Sequence, residues 1–370
     1  MSTDRCAMLG PAGVAVVALL AGCTDYLTPD PRETLAALPS VVPEPADNPG
    51  RPETIELGRL LYWDPILSGD RDIACATCHH PEFGYSDGLA VSVGTGGRGV
   101  GPARDADPAA PRTSRNAQTV LVTAWNGLSV DGAVAPELAP MFWDHRVTSL
   151  EAQVLGPITS AAEMRGTTVA EDQILDEVVA RLGAIPEYVT RFEAAFGAGG
   201  VTATNLAKAI AAFERTLVPT NSSFDRYMAG DDDALTPAQI RGLHGFIYQG
   251  CARCHSGPLF SDFQLHELAI PSRPGAPVDL GDGQRRFRTP SLRMVTLTAP
   301  YMHNGALATL GAVFDNYHNN RVTDPLLEGD VEVAVGGADD LILFFDAISD
   351  GTFDRTIPAR VPSGLPPGGP

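Results

Sequence analysis

The string Cys75-Ala76-Thr77-Cys78-His79 recurs as Cys251-Ala252-Arg253-Cys254-His255, one copy in each half of the 370-residue chain. Two cysteines separated by two residues and followed at once by histidine form a c-type heme attachment string. The thiols add to the heme vinyl groups. Their spacing puts both sulfurs on one side of a tight helical start, from which the histidine reaches the iron. A lone copy has other readings, a stray thiol pair or half of a zinc site, because zinc also takes two cysteines at this spacing. Two copies, both ending in histidine, make those readings poor. The expected fold is mainly α, with two c-type cytochrome-like heme domains related by internal duplication and two covalently bound heme c groups.

Four of the six cysteines are consumed in this way, which leaves Cys6 and Cys23. Both lie in or beside an N-terminal segment that reads as a secretory leader over 1–22. The apolar run from Gly13 to Gly22 is too short to cross a bilayer, which takes roughly 20 residues. It ends in Leu20-Ala21-Gly22-Cys23, similar to a bacterial lipobox whose cysteine is acylated; cleavage without acylation is the plainer alternative. Either route exports the chain, so the folded part is expected in the periplasm or cell envelope, touching membrane only through a lipid anchor.

Residues 23–54 are dense in proline and read as a semi-rigid tether, and the Pro- and Gly-rich stretch 358–370 reads as a disordered tail. About 300 residues lie between, enough for two cored domains, 55–230 and 231–357. The formal charge of −19 argues against nucleic acid or anionic lipid as partner. It favours a basic redox partner through long-range steering, with plain solubility as the bland reading.

Helical punctuation dominates the core. Thr236-Pro237-Ala238-Gln239 is a capping box with proline at the first helical position, leading into the second heme string. A comparable segment from Glu53 to Trp63 precedes the first. Thr202 opens a helix on which Leu206, Ile210, Phe213 and Leu217 share a face, and no stretch sustains the alternation of a strand. Gly94-Thr95-Gly96-Gly97-Arg98-Gly99-Val100-Gly101 is followed by neither Lys-Ser nor Lys-Thr, so it reads as a mobile loop rather than a phosphate cradle.

Several further strings resemble those of the bacterial diheme cytochrome c peroxidases and their MauG-like relatives: Leu67-Ser68-Gly69-Asp70, Phe83-Gly84-Tyr85-Ser86-Asp87-Gly88, Arg115-Asn116, Met141-Phe142-Trp143-Asp144 and Gly156-Pro157-Ile158. Glu163-Met164, Arg288-Thr289-Pro290-Ser291-Leu292-Arg293, and Ala299-Pro300-Tyr301-Met302-His303-Asn304-Gly305 with Thr309-Leu310 complete the match. The resemblance implies an exported oxidoreductase that takes hydrogen peroxide at the N-terminal heme. Electrons would come from a small periplasmic redox protein such as a cytochrome c, or from side chains of a protein substrate. A diheme electron carrier without peroxidase activity is the alternative.

In family members that need reductive activation, a histidine from the loop after the first string caps the resting iron. Here neither His nor Met occurs from Pro81 to Pro140, and His80 cannot reach the opposite face of the iron held by its neighbour His79. An N-terminal iron open to peroxide is therefore expected, with His79 and His255 as the proximal ligands. The family position for the second ligand of the C-terminal iron holds Tyr317, as in MauG-like enzymes, where ordinary diheme peroxidases have Met. Leu310, Val313, Phe314 and Tyr317 share a helix face, and a phenolate favours oxidised iron. Two readings stay open beside it, a core aromatic and ligation by Met302.

The resemblance also implies a distal pocket of Gln153, Pro157 and Glu163, the last as acid and base toward peroxide. Outside the family register, an isolated Glu is more often a solvated surface charge. Trp143 matches the inter-heme indole, with a core aromatic as its ordinary alternative; His145 stands where the family commonly has Gly. A calcium ion is implied at the Asn116 side chain and the carbonyls of Thr298 and Pro300.

Overall fold

The computed structural model describes residues 30–129, 132–319 and 337–370. The leader read at 1–22 and Cys23 lie outside the described residues. Among the described residues ten α-helices carry the fold: α1 (Pro52–Trp63), α2 (Cys75–Cys78), α3 (Leu150–Thr159), α4 (Ile174–Gly183), α5 (Pro186–Phe196), α6 (Ala203–Glu214), α7 (Ser223–Met228), α8 (Pro237–Tyr248), α9 (Leu310–Asn319) and α10 (Ala338–Ala347). Six strands of two or three residues pair only as antiparallel hairpins: β1 (Gly97–Arg98) with β2 (Asp105–Ala106), β3 (Pro140–Met141) with β4 (Val147–Thr148), and β5 (Leu265–Glu267) with β6 (Arg286–Arg288). The expected mainly α class is what forms. Among the described residues no helix is long and apolar enough to cross a membrane.

Two large apolar cores, with two smaller clusters around Trp125 and Met141, fill the described residues. The first gathers Leu57 and Leu61 of α1, Ile174 and Val178 of α4, Tyr188 and Phe192 of α5, and Leu206, Ile210 and Phe213 of α6, with Leu217 just beyond. Thr202 caps α6 by accepting from the Asn205 N–H at 3.1 Å. The second core joins Leu243 and Phe246 of α8 to Phe344 and Phe345 of α10, with Phe314 of α9 against them. The capping box of α8 is formed as its sequence indicates: Thr236 Oγ1 accepts from the Gln239 N–H at 3.3 Å, and Gln239 Oε1 accepts from the Thr236 N–H at 2.8 Å.

Each helix that leads toward a heme string is crossed at a glycine. A Cβ on Gly58 of α1 would stand 1.9 Å from the carbonyl oxygen of Ala209 in α6, and one on Gly242 of α8 would stand 2.0 Å from that of Asp340 in α10. Only a residue without a side chain lets two helix backbones approach so closely.

Three compositional expectations are corrected. The stretch 23–54 is no tether from Asp30 onward. Leu35 and Leu38 are buried, Thr34 O accepts from the Gly257 N–H at 2.8 Å, the Leu38 N–H bonds Asp225 at 2.9 Å, and the Asn48 amide bonds Glu151 at 2.7 Å. Proline supplied extended backbone, and scattered leucines supplied anchors. The tail 358–370 is ordered as well. Val361 is buried, the Thr77 hydroxyl donates to Gly368 O at 2.7 Å, and the Gly368 N–H donates to Trp63 O at 2.8 Å. Its glycines take left-handed backbone at Gly364, Gly368 and Gly369, the turns that seat it against α1 and α2. The glycine loop at 94–101 is likewise pinned. Arg104 donates to the carbonyls of Val93, Gly94 and Gly99 at 3.2, 2.9 and 2.8 Å.

Candidate functional site

The two strings adopt matching local structure. Cys75–Cys78 is a single helical turn and Cys251–Arg253 a 3₁₀ turn entered through Gly250 in left-handed backbone. In both, the histidine N–H returns to the carbonyl of the first cysteine at 2.9 Å. His79 Nδ1 lies 3.2 Å from Tyr85 O and His255 Nδ1 lies 2.8 Å from Phe260 O. A ring that donates from Nδ1 to a carbonyl keeps Nε2 as a lone-pair donor, the arrangement of a metal-ligating histidine held by its second hydrogen bond. Burial pushes both imidazoles down, toward the neutral form that binds metal. It also pushes the Cys78 and Cys251 thiols up to about 12 and raises Cys75 further. Two cysteines and a buried imidazole on one tight turn fit covalent heme c at both strings.

On the N-terminal side, α3 is capped by Ser149, whose Oγ accepts from the Ala152 N–H at 3.2 Å. Gln153 lies in its first half and Pro157 inside its last turn, two residues before the end. The chain then folds back so that the Met164 N–H bonds Pro157 O at 3.2 Å, and the glycine loop presses on the same place, the Thr95 N–H bonding Glu163 O at 3.2 Å. A Cβ on Gly94 would stand 2.4 Å from Ala162 O, so the backbone at Glu163 is seated on a glycine. Burial raises the Glu163 carboxyl above its ordinary range, opposed by Arg146 and by a hydrogen bond from Ser160. Glu163 in turn acts on the Cys78 thiol, as do Asp87 and Arg104. The carboxyl, partly buried, is therefore within electrostatic reach of the first string.

Trp143 sits in the β3–β4 hairpin. Its indole N–H donates to Asn116 O at 3.0 Å, its carbonyl accepts from the Arg288 N–H at 2.7 Å, and the Asn116 N–H bonds His303 O at 2.7 Å. The indole, Asn116 and the 299–305 loop thus meet. Asn116 Nδ2 donates to Leu89 O at 2.8 Å, which leaves Oδ1 as the acceptor end of the side chain. Gly84, in left-handed backbone, packs against Leu297 and Thr298, and Pro300 lies three residues before the His303 that Asn116 binds. This oxygen-rich donor set fits a hard cation such as calcium. His145 takes left-handed backbone with Nε2 buried and without a hydrogen-bond partner. Burial, with Arg288 beside it, pushes its pKa down.

In the second half, Tyr317 lies on the α9 face that carries Leu310 and Phe314 and packs on the second core. Burial raises its phenol, and the next largest influences come from Cys251 and Cys254, so the ring stands at the second string.

Three charged features of these surroundings escape sequence reasoning. Glu214, 4% exposed, is raised to about 8 by burial, with Glu151 adding and Arg215 opposing, and it acts on Cys75 and Tyr62. Its position four after Ile210, on the buried stripe of α6, could have revealed it. Asp262 and His266 pair at 2.9 Å and cluster with the Cys254 sulfur; their separation by four residues carries no helical meaning in this loop. Arg146 closes the string that begins at Phe142, but the resemblance gave it no role.

Comparison with known proteins agrees with this geometry. Residues 52–233 match the family model described as di-haem cytochrome c peroxidase. The chain is 34% identical to the methylamine utilization protein MauG of Methylorubrum extorquens, over 95% of this chain and 96% of that one. It is 37% identical to cytochrome-c peroxidase IdrP1 of Denitromonas iodatirespirans, over 79% of each. A solved MauG-like protein associated with microbial copper homeostasis superposes with a TM-score of 0.68 at 28% identity, over 85% of this chain and 95% of that one. The chain belongs to the di-haem cytochrome c peroxidase and MauG family and is a heme peroxidase-type oxidoreductase.

Proposed function

We propose that the protein is exported to the periplasm, carries heme c at Cys75, Cys78 and His79 and at Cys251, Cys254 and His255, and uses hydrogen peroxide as oxidant on the N-terminal side. The hemes supply the redox-active iron. Glu163 takes a proton from the bound peroxide and returns it to the departing oxygen. The observation that carries this reading is Glu163 itself, largely desolvated and within electrostatic reach of the first string, while the separate segment from Pro81 to Pro140 offers no His or Met to close the site. Gln153 and Pro157 line the same side. Trp143 relays electrons between the halves, and a calcium ion held by Asn116 Oδ1 and the carbonyls of Thr298 and Pro300 keeps its peptide partner in place. Tyr317 at the second string supports a MauG-like enzyme, which oxidises side chains of a partner protein, over one that draws on a small cytochrome c. The shared glycine crossing at Gly58 and Gly242 supports descent of the two halves from one unit.

Glu163→Gln tests the reading. The variant should keep both hemes and a resting ferric spectrum with one high-spin and one low-spin iron, yet react with peroxide about 100-fold more slowly or worse, the scale of a lost proton transfer. An unchanged rate in stopped-flow mixing would return Glu163 to an ordinary surface charge, and two low-spin irons in the parent would favour a pure electron carrier.

A further inference from the structure

We propose that Arg146 is a positioning residue for this chemistry: its guanidinium, fixed in the β3–β4 hairpin beside the end of α3, favours the form of the Glu163 carboxyl that accepts the peroxide proton. The inference rests on the reading of Glu163 above and extends it to a group on a different element.

Arg146 is held from two directions. Its guanidinium lies 3.6 Å from the centroid of the Phe142 ring, and Nη1 donates to Asp144 at 2.7 Å. Asp144 is itself fixed by Arg115 at 2.7 Å, and Arg115 by Asp279 at 2.6 Å, so an alternating row of charges runs from the β5–β6 side to Arg146. Phe142 is wedged on α3, its ring tip 2.9 Å from where a Gly156 Cβ would stand. Gly156 precedes Pro157, whose carbonyl binds the Met164 N–H. Arg146 is thereby carried to the corner where Glu163 lies.

The groups that face Glu163 are few. The hairpin presents Arg146 and the end of α3 presents Ser160. The turn α2 presents Cys78, uncharged once bound to heme, and the glycine loop presents the Thr95 N–H, which meets only the backbone carbonyl. Arg104 is committed to three carbonyls of its own loop. Burial acts to protonate Glu163, and Arg146 is the one charge opposing it. Removing that charge moves the protonation of Glu163 to higher pH, so the acid limb of any event that needs the carboxylate moves up. The same hairpin carries Trp143, so the residue that readies the proton acceptor and the residue that relays the electron share one rigid turn.

The test uses the full-length holoprotein as parent, Arg146→Gln, Arg146→Lys and Glu163→Gln, each checked for two hemes by heme-stained gel and mass. Binding of fluoride to the ferric protein is titrated by absorption across pH, and the peroxide rate is measured over the same range. Arg146→Gln should raise the midpoint of both profiles by about 0.5 pH unit or more, about a three-fold change in the ionised fraction, and Arg146→Lys should restore most of it. Because the Arg146 side chain is 48% exposed, raising salt from about 0.05 to about 1 M should move the parent the same way. A midpoint unmoved by Arg146→Gln in a protein with both hemes overturns the proposal. So does a parent midpoint unmoved by salt, which decides the matter if the glutamine variant loses heme. If Glu163→Gln also leaves the midpoint in place, the reading of Glu163 falls with it; a midpoint sensitive to Glu163→Gln alone overturns only the role of Arg146.

Discussion

Replacing Asp225 by Ala should show how the second half is held together. Asp225 and Arg293 form a buried bidentate pair at 2.9 Å for both contacts, with the Arg293 side chain 0% exposed. The guanidinium also donates to Pro258 O at 2.9 Å, three residues past the second heme string, and lies between the Phe224 and Phe260 rings. Asp225→Ala leaves that buried cation without its bidentate partner and with only Asp350 offsetting its charge, a loss of about 3–5 kcal/mol. It also strands the Leu38 N–H that Asp225 accepts, adding about 1 kcal/mol. The double variant Asp225→Leu with Arg293→Met removes both charges and keeps the volume filled. It forfeits the bonds to Pro258 and Leu38, so a deficit of about 1–3 kcal/mol is expected. Urea unfolding of the holoprotein, followed by far-ultraviolet circular dichroism and by Soret absorption, measures both. The reasoning is refuted if the single variant lies within about 1 kcal/mol of the parent, or if the double variant is as unstable as the single.

Cys75→Ala combined with Cys78→Ala should remove covalent heme from the first string only, so heme-stained gels and intact mass should report one attached heme in place of two. Tyr317→Met exchanges a phenol at the second string for a thioether, and redox titration should find the C-terminal potential raised. That variant should also accept electrons from a reduced small cytochrome c more readily than the parent; identical potentials in the two proteins would remove Tyr317 from the iron.

Local chemistry was legible where a short stretch of sequence determines it alone. The capping box at Thr236 and Gln239, the stripe Leu206, Ile210, Phe213 and Leu217, and the paired strings needed no distant partner to be recognised. The tail around Gly368 and the segment from Asp30 to Asn48 were misjudged because proline and glycine content reports backbone preference, whereas order came from partners such as Trp63, Thr77 and Asp225 far away in sequence. The glycine loop failed for the same reason, since Arg104 and the carbonyls of Ala162 and Glu163 pin it. In the site, the resemblance to the family pointed to Glu163 and Tyr317, but the charges around them depend on how the hairpin at 140–148 meets α3, which no local pattern encodes.

The two straps cross. Residues 30–38 lie against the second core through Leu35, Gly257 and Asp225, and residues 361–369 lie against the first through Val361, Trp63 and Thr77. Neither half is completed by its own stretch of chain. The contacts that finish each one span hundreds of residues, so they close late, after the loop entropy of nearly the whole polypeptide has been overcome. Folding is thereby made cooperative across both halves, and the two bodies, whose heme strings flank Trp143 in sequence, reach their final form together.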